Sequence, residues 1–222
     1  MKFSLKTEIL PIILIVASFV ASCYFYAHFP ARVPSHWNFK GEIDNYSSRA
    51  VGAFAIPLLI LAMYLLFLIL PKIDPKKEKY DRFARVYHIF KLAIILVLLL
   101  LYFVTGLAGL GHQVEVGKIV PAVIGILFIV LGNYMGKLKP NWFMGIRTPW
   151  TMSSETVWQK THRLGGWMFV LAGLFLFSGA FLAKLHVYPV LFVIVIAAVL
   201  LVPVVYSYLL YREERRNIDK SC

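Results

Sequence analysis

A polar segment near the start of the chain brings imidazole and carboxylate groups close together. His36, Glu42 and Asp44 lie in FPARVPSHWNFKGEIDNYSSR, residues 29–49. Although these groups are common metal ligands and pH sensors, their spacing matches no established metal motif, so no bound metal is predicted. Two interpretations remain, an ordered turn resting on lipid headgroups and a binding surface for an external peptide. The residues predicted for such a ligand surface are His36, Trp37, Asn38, Gly41 and Asp44.

A second polar segment, here called the tryptophan-rich segment, is GKLKPNWFMGIRTPWTMSSETVWQKTHRLGG at residues 136–166. Gly145 and Pro149 break regular structure, and Arg147 between them is suited to a bidentate contact with a carboxylate or phosphate. That anion belongs to the protein itself or to a partner; alternatively, the tryptophans simply anchor the segment to the membrane interface. The signature residues predicted here are Asn141, Gly145, Arg147, Thr148, Pro149, Trp150, Trp158, His162 and Arg163.

The end of the tryptophan-rich segment predicts a helix. Ser154, or the serine before it, is a good N-cap, and Glu155 follows in the first turn, where the helix dipole favours a carboxylate. Such a helix places Trp158 and His162 on one face. The glycine pair at 165–166 then either bends the chain or allows close helix packing.

No constellation of residues indicates an enzyme. The sequence lacks a nucleophile elbow, an HExxH motif, a phosphate-binding loop and a dinucleotide-binding glycine motif. His162 is a candidate base, but a histidine in mid-helix beside a tryptophan is more typical of a structural residue. We therefore predict no catalytic activity, no cofactor and no metal.

Long apolar runs position both polar segments. Hydrophobic residues make up 60% of the 222 residues, charged residues make up 15%, and the mean hydropathy is +0.74. A membrane-spanning helix needs about 20 mostly apolar residues. Six such runs occur, roughly at 8–28, 50–70, 87–109, 117–136, 166–183 and 187–211. Because the runs do not alternate with polar residues, the predicted fold is all-α, a polytopic membrane protein with six transmembrane helices.

The charges predict orientation and partners. Most of the 23 Lys and Arg residues lie in the N-terminal segment, the second and fourth loops and the C-terminal tail, so both termini are predicted to be cytoplasmic. The formal charge of +12 then favours anionic lipid as a partner rather than nucleic acid. Within the apolar runs, Glu8, Lys91 and Lys118 lie only near the edges, which argues against a pump.

Four motifs in the second half resemble the signature of SdpI-family immunity proteins: NYM at 133–135, KPN at 139–141, GIRTPW at 145–150 and WQKTHRLGG at 158–166. In the first half, VPSHWN at 33–38, with Gly41 and Asp44, is similar to an N-terminal membrane module of unknown function often fused to that family. The resemblance implies two domains. We expect the module, with two helices and the outer loop, at 1–80 and an SdpI-like domain with four helices at 81–222.

The resemblance also implies a function. The founding members of the family lie in the bacterial plasma membrane and protect the cell against a secreted peptide, the sporulation-delay toxin SdpC. The toxin-loaded protein also recruits a repressor, SdpR, to the membrane. On that model the outer loop binds the toxin and the cytoplasmic tryptophan-rich segment binds the repressor. The alternatives are a small-molecule or ion transporter, a receptor for another ligand, and a membrane-embedded enzyme.

Overall fold

The computed structural model describes residues 4–38, 41–182 and 188–221. In chain order its elements are α1 (Leu5–His28), β1 (Arg32–Trp37), β2 (Ile43–Ser48), α2 (Arg49–Ile73), a 3₁₀ helix (Lys77–Phe83), α3 (Ala84–Gly109), α4 (Val116–Met135), α5 (Pro149–Ser153), α6 (Glu155–Leu182) and α7 (Tyr188–Ser221). Within the described residues, six helices are long and apolar enough to cross a membrane. This confirms the predicted polytopic, helical architecture, to which a β-hairpin is added.

Helix α6 begins earlier than the apolar run at 166–183 predicts. It starts at Glu155, because the hydroxyl of Ser154 accepts a hydrogen bond from a backbone N–H of the first turn at 3.2 Å. The glycine pair lies within the continuous helix α6, and a Cβ on Gly166 would lie 2.6 Å from the carbonyl oxygen of Gly132 in α4. The pair therefore allows α4 and α6 to pack closely, as one of the two predicted alternatives states.

The loop after α1 forms an antiparallel hairpin rather than an irregular turn. Trp37 pairs with Ile43 beside the turn, and the register shifts twice between Pro34 and Trp37. Proline has no N–H to donate to the ladder, so the pairing is irregular at this point. Gly41 adopts a φ of +79° in the turn, as its position in the sequence predicts.

Aromatic packing fixes the hairpin to the helices. Phe25, Phe29 and Val33 are buried against two glycines of α3. A Cβ on Gly109 would lie 2.8 Å from both Phe29 and Val33, and a Cβ on Gly106 would lie 2.4 Å from Phe25. Larger residues at these glycines would push the hairpin away, so the small residues of α3 determine where it lies.

The connections between the helices meet at two ends of the bundle. At one end, here called the hairpin end, Gly41 of the hairpin approaches Gly117 at the start of α4. At the other, here called the basic end, Lys79 after α2 forms a salt bridge with Glu155 of α6. The basic end also includes the C-terminal part of α7, where Glu214 accepts a hydrogen bond from the serine that caps α6. That the basic end faces the cytoplasm stays a prediction from the charge distribution.

A buried ion pair joins α1 to α3. Both carboxylate oxygens of Glu8 lie 2.6 Å from the ammonium nitrogen of Lys91, whose side chain is fully buried. Thr7 donates a further hydrogen bond to Glu8 at 3.0 Å, and the ring centroid of Tyr64 lies 5.6 Å from the Lys91 nitrogen. In sequence the two charges are separate edge residues of different apolar runs, whereas in the structure they neutralise each other. The predicted division of domains after residue 80 stays a prediction.

Candidate functional site

The hairpin exposes the side chains predicted to bind a ligand. The imidazole Nδ1 of His36 lies 2.5 Å from a carboxylate oxygen of Asp44, and the two side chains are 66% and 43% exposed. Beside this pair, the amide of Asn38 donates to the carboxylate of Glu42 at 3.0 Å and accepts from the Glu42 backbone N–H, also at 3.0 Å. The strands and turn thus present an imidazole, an amide and two carboxylates on the hairpin.

Exposed apolar side chains accompany these charges on β2. Tyr46 is 52% exposed and Ile43 is 43% exposed, and neither was among the predicted ligand residues. Peptide recognition combines apolar contact area with a few oriented polar groups, and this surface supplies both. Within the described parts of the chain, no three His, Cys, Asp or Glu side chains come together to hold a metal ion.

The tryptophan-rich segment, by contrast, bonds mostly to itself. Asn141 is buried, and its side-chain oxygen accepts hydrogen bonds from the backbone N–H groups of Phe143 at 2.9 Å and Met144 at 2.6 Å. Its side-chain nitrogen donates to the carbonyl oxygens of Lys139 at 2.9 Å and Met144 at 3.0 Å. All the hydrogen-bonding capacity used here holds the local turn, so Asn141 is a structural residue.

Gly145 lies directly against His162, which is fully buried together with Trp158. The backbone N–H of Ile146 donates to Nε2 of His162 at 2.9 Å, and Nδ1 of the same ring donates to the carbonyl oxygen of Trp158 at 2.8 Å. Gly145 has a φ of +105°, and a Cβ there would lie 2.2 Å from Nε2. Because both ring nitrogens are engaged and the ring is neutral, His162 has no lone pair left for a substrate proton.

Trp158 is also fixed from two sides. Its ring stacks on that of His162 with centroids 4.0 Å apart, and its indole N–H donates to the carbonyl oxygen of Leu138 at 2.9 Å. The predicted shared helix face is therefore confirmed. Trp158 is fully buried, so interface anchoring does not apply to it, whereas Trp142 is 50% exposed and Trp167 is 65% exposed.

Thr148, Pro149 and Trp150 attach the segment to α7. The hydroxyl of Thr148 accepts from the backbone N–H of Thr151 at 3.2 Å, which caps the short helix α5. The same hydroxyl lies 3.0 Å from the hydroxyl of Ser207 in α7, and the ring of Trp150 packs 5.1 Å from that of Tyr208. These contacts form a short bridge between the α4–α6 connection and the last helix.

Two arginines of the segment are exposed. Arg147 donates from its guanidinium to the backbone carbonyl oxygen of Trp142, and its contact with a carboxylate or phosphate stays a prediction. Arg163 projects from the first turns of α6 and is exposed. Of the signature residues, these two cations offer charge to a partner, while Asn141, Trp158 and His162 are fully buried.

Asp74 is a residue of this site that the sequence did not reveal. It is 1% exposed, and one of its oxygens accepts from the hydroxyl of Tyr80 at 2.8 Å and from the backbone N–H of Trp142 at 2.9 Å. The other oxygen accepts from the backbone N–H of Lys76 at 2.7 Å. The carboxylate thus joins the end of α2 to the tryptophan-rich segment. A lone Asp before a proline gives no sequence signal for such a distant contact.

Models of two known families match this chain. Residues 137–207 match the SdpI/YfhL protein family, and residues 13–61 match a domain of unknown function, DUF1648. The chain is also 28% identical over 209 residues to the immunity protein SdpI of Bacillus subtilis (strain 168), covering 94% of this chain and 98% of that protein. No solved structure matches the chain. The predicted signature residues all lie inside the region that matches the SdpI/YfhL family, and the similarity to the immunity protein extends along nearly the whole chain.

Proposed function

We propose that this protein is an immunity protein of the bacterial plasma membrane that protects its cell against a secreted antimicrobial peptide of the SdpC type. The observation that carries the proposal is the similarity to an immunity protein along 94% of the chain. A multi-pass protein with six candidate membrane spans lies in the barrier that such a peptide attacks. The peptide class and the side from which it arrives rest on the family resemblance and on the predicted orientation.

The hairpin surface is the proposed contact for the peptide. The imidazole of His36 uses Nδ1 for Asp44, and with 66% of the side chain exposed its second nitrogen is within reach of a ligand. Tyr46, two residues after Asp44 on the same strand, is 52% exposed and adds apolar area on the same face as the pair. A fixed hairpin suits recognition because its packing on the helices already restricts its conformation. Less conformational entropy is then lost when the ligand binds.

A cytoplasmic repressor is the proposed second partner, at the basic end. Its contacts would be two exposed residues of the tryptophan-rich segment, Arg147 and Trp142. Capture that depends on the toxin requires two conformations with different affinity for it, because a ligand with equal affinity for both shifts nothing. The hydrogen bond that the backbone N–H of Trp142 donates to Asp74 and the bridge from Thr148 to α7 are contacts through which helix movement would reach this surface.

A small-molecule or ion transporter is the alternative, and one observation favours it. Ionisable residues within spans are characteristic of ion and proton pathways, and Glu8 with Lys91 forms such a group between α1 and α3. Each charge is, however, neutralised by the other at 2.6 Å. We propose no enzymatic activity, since the candidate base His162 uses both ring nitrogens to hold backbone groups.

The test of the proposal is survival of a toxin-sensitive bacterium that lacks its own immunity protein. Cells expressing the full chain are expected to survive an SdpC-type peptide that kills cells carrying the empty vector. His36→Ala is expected to abolish protection, whereas Ser35→Ala, an exposed neighbour on β1, is expected to preserve it. Membrane levels of all variants are matched by quantitative blotting.

Two outcomes contradict parts of this proposal. No protection by the unmodified chain would contradict immunity to this peptide class and move the transporter or a receptor for another ligand ahead. Full protection by His36→Ala would leave immunity in place and remove the hairpin surface as the peptide contact.

A further inference from the structure

Two clefts at the basic end share the same arginine and tryptophan. One cleft, of about 170 Å³, lies between α4 and α6 and is lined by Asn133 and Gly136 on α4 and by Arg163 and Trp167 on α6. The second, of about 360 Å³, lies between α6 and α7, where Arg163 and Trp167 face Tyr206. Arg163 and Trp167 therefore form a ridge with a cleft on each side.

The length of α6 places this ridge at the level of lipid headgroups. Its 28 residues extend about 42 Å at 1.5 Å per residue, against a hydrocarbon core of about 30 Å. From Leu164 to Leu182 the helix contains no charged residue, so its excess length is at the N-terminal side. Arg163 thus lies just outside the hydrocarbon, and Trp167, one turn further in, lies at its boundary, where tryptophan is enriched.

The ridge carries positive charge that the protein does not neutralise. Among the described residues, neither Arg163 nor Lys160, one turn before it, forms a salt bridge. On its other side Lys160 lines a separate cleft with Glu213 and Glu214 of α7, where an anion would be repelled. The favourable position for an anion is therefore on the side of Arg163 and Trp167.

We propose that this ridge binds an anionic glycerophospholipid, with the phosphate on Arg163 and Lys160 and an acyl chain along Trp167. The side-chain hydroxyl of Tyr206 and the amide of Asn133 are the neutral groups lining the two clefts that the headgroup would meet. A soluble protein fits less well, because 65% of Trp167 is exposed at the level where acyl chains begin. The bound lipid would link α4, α6 and α7 at the end that holds the tryptophan-rich segment. The inference does not depend on immunity.

The experiment is native mass spectrometry of the full chain released from nanodiscs that contain phosphatidylglycerol and phosphatidylcholine. The unmodified chain is expected to retain more phosphatidylglycerol than phosphatidylcholine. Arg163→Gln is expected to weaken that retention about fivefold, the value for one cation near a lipid surface. Lys72→Gln, which removes an exposed cation at the end of α2 outside both clefts, is the matched control and is expected to leave retention unchanged.

Four further results decide between this site and its alternatives. Trp167→Leu, which keeps the charge, is expected to weaken retention, and size-exclusion chromatography verifies that each variant is folded. Equal losses for Arg163→Gln and Lys72→Gln would overturn the proposal in favour of general attraction to a basic surface. Equal retention of both lipids by the unmodified chain would overturn it and leave the ridge to a protein partner. Displacement of the bound lipid by inorganic phosphate alone would overturn the proposal of a lipid site and indicate a site for free phosphate.

Discussion

The hairpin and the tryptophan-rich segment differ in where their polar side chains lie and in what those side chains bond to. In the hairpin, His36 and Asp44 bond to each other on a surface open to solvent. In the tryptophan-rich segment, Asn141 and His162 are fully buried and bond to backbone groups of their own connection. A polar side chain with all its bonds used inside the protein stabilises structure, whereas an exposed one is available to a ligand.

This difference indicates that the residues of the family signature and the residues of the proposed ligand surface are largely different sets. The residues that carry the family resemblance most strongly, from the KPN to the WQKTHRLGG motif, are largely a scaffold at the basic end. The shorter hairpin motif is the part whose side chains a peptide can reach. In this chain, Asn141, Trp158 and His162 of the signature form buried hydrogen bonds, whereas the proposed recognition uses a few exposed residues on a fixed support.

The largest expected effect tests the buried ion pair that joins the start of α1 to the start of α3, on the side of the bundle away from the hairpin. Glu8→Gln leaves the Lys91 ammonium buried without a charged partner, which costs about 3–5 kcal/mol of unfolding free energy. The double variant Glu8→Gln with Lys91→Met is expected to recover most of that loss, because no buried charge remains. Thermal unfolding of the purified variants in nanodiscs measures both. If the double variant is as unstable as Glu8→Gln alone, the substitution disturbs the packing of α1 against α3 and not the charge pairing.

The second effect compares glycines at the two ends. Gly145→Ala is expected to cost about 3 kcal/mol, because the new Cβ would strike His162 and the buried N–H of Ile146 would lose its acceptor. Gly111, in the connection between α3 and α4, has a φ of +90° and open space around its Cβ position. Gly111→Ala therefore carries only the backbone strain, about 1 kcal/mol. Equal shifts in melting temperature for the two variants would contradict a tightly packed tryptophan-rich segment.

The third comparison, with the smallest expected effect, replaces one Asp by Asn in each of the two regions. Asp74→Asn replaces an oxygen that accepts hydrogen bonds with a donor facing other donors, so a loss of about 1–3 kcal/mol is expected. Asp44→Asn on the exposed hairpin is expected to change stability by less than about 0.5 kcal/mol. Both are measured by thermal unfolding. A larger effect at Asp44 than at Asp74 would reverse the roles assigned to the two regions.

The parts of the fold that could be predicted are those determined by local sequence. Apolar runs of about 20 residues specify the six long helices, and Ser154 specifies the start of α6. The same holds for Trp158 and His162, whose spacing of four residues places them on one helix face.

The parts that could not be predicted depend on contacts between distant residues. Asp74 meets Trp142 and Glu8 meets Lys91 only after the helices have packed, and no local pattern encodes either pairing. The hairpin was missed because its strands are short and Pro34 interrupts their ladder. The hydrogen bond from Arg147 to the carbonyl oxygen of Trp142 is a further contact that sequence spacing does not specify.

The central claim is that the hairpin recognises the toxin and the tryptophan-rich segment supports the bundle. The most direct test is the affinity of a labelled SdpC-type peptide for the full chain purified in nanodiscs, measured for the unmodified protein, His36→Ala and Arg147→Ala. The account predicts that His36→Ala weakens binding about tenfold or more, the value of one hydrogen bond to a charged group, while Arg147→Ala leaves it unchanged. Weaker binding by Arg147→Ala with normal binding by His36→Ala would contradict the account and move recognition to the basic end.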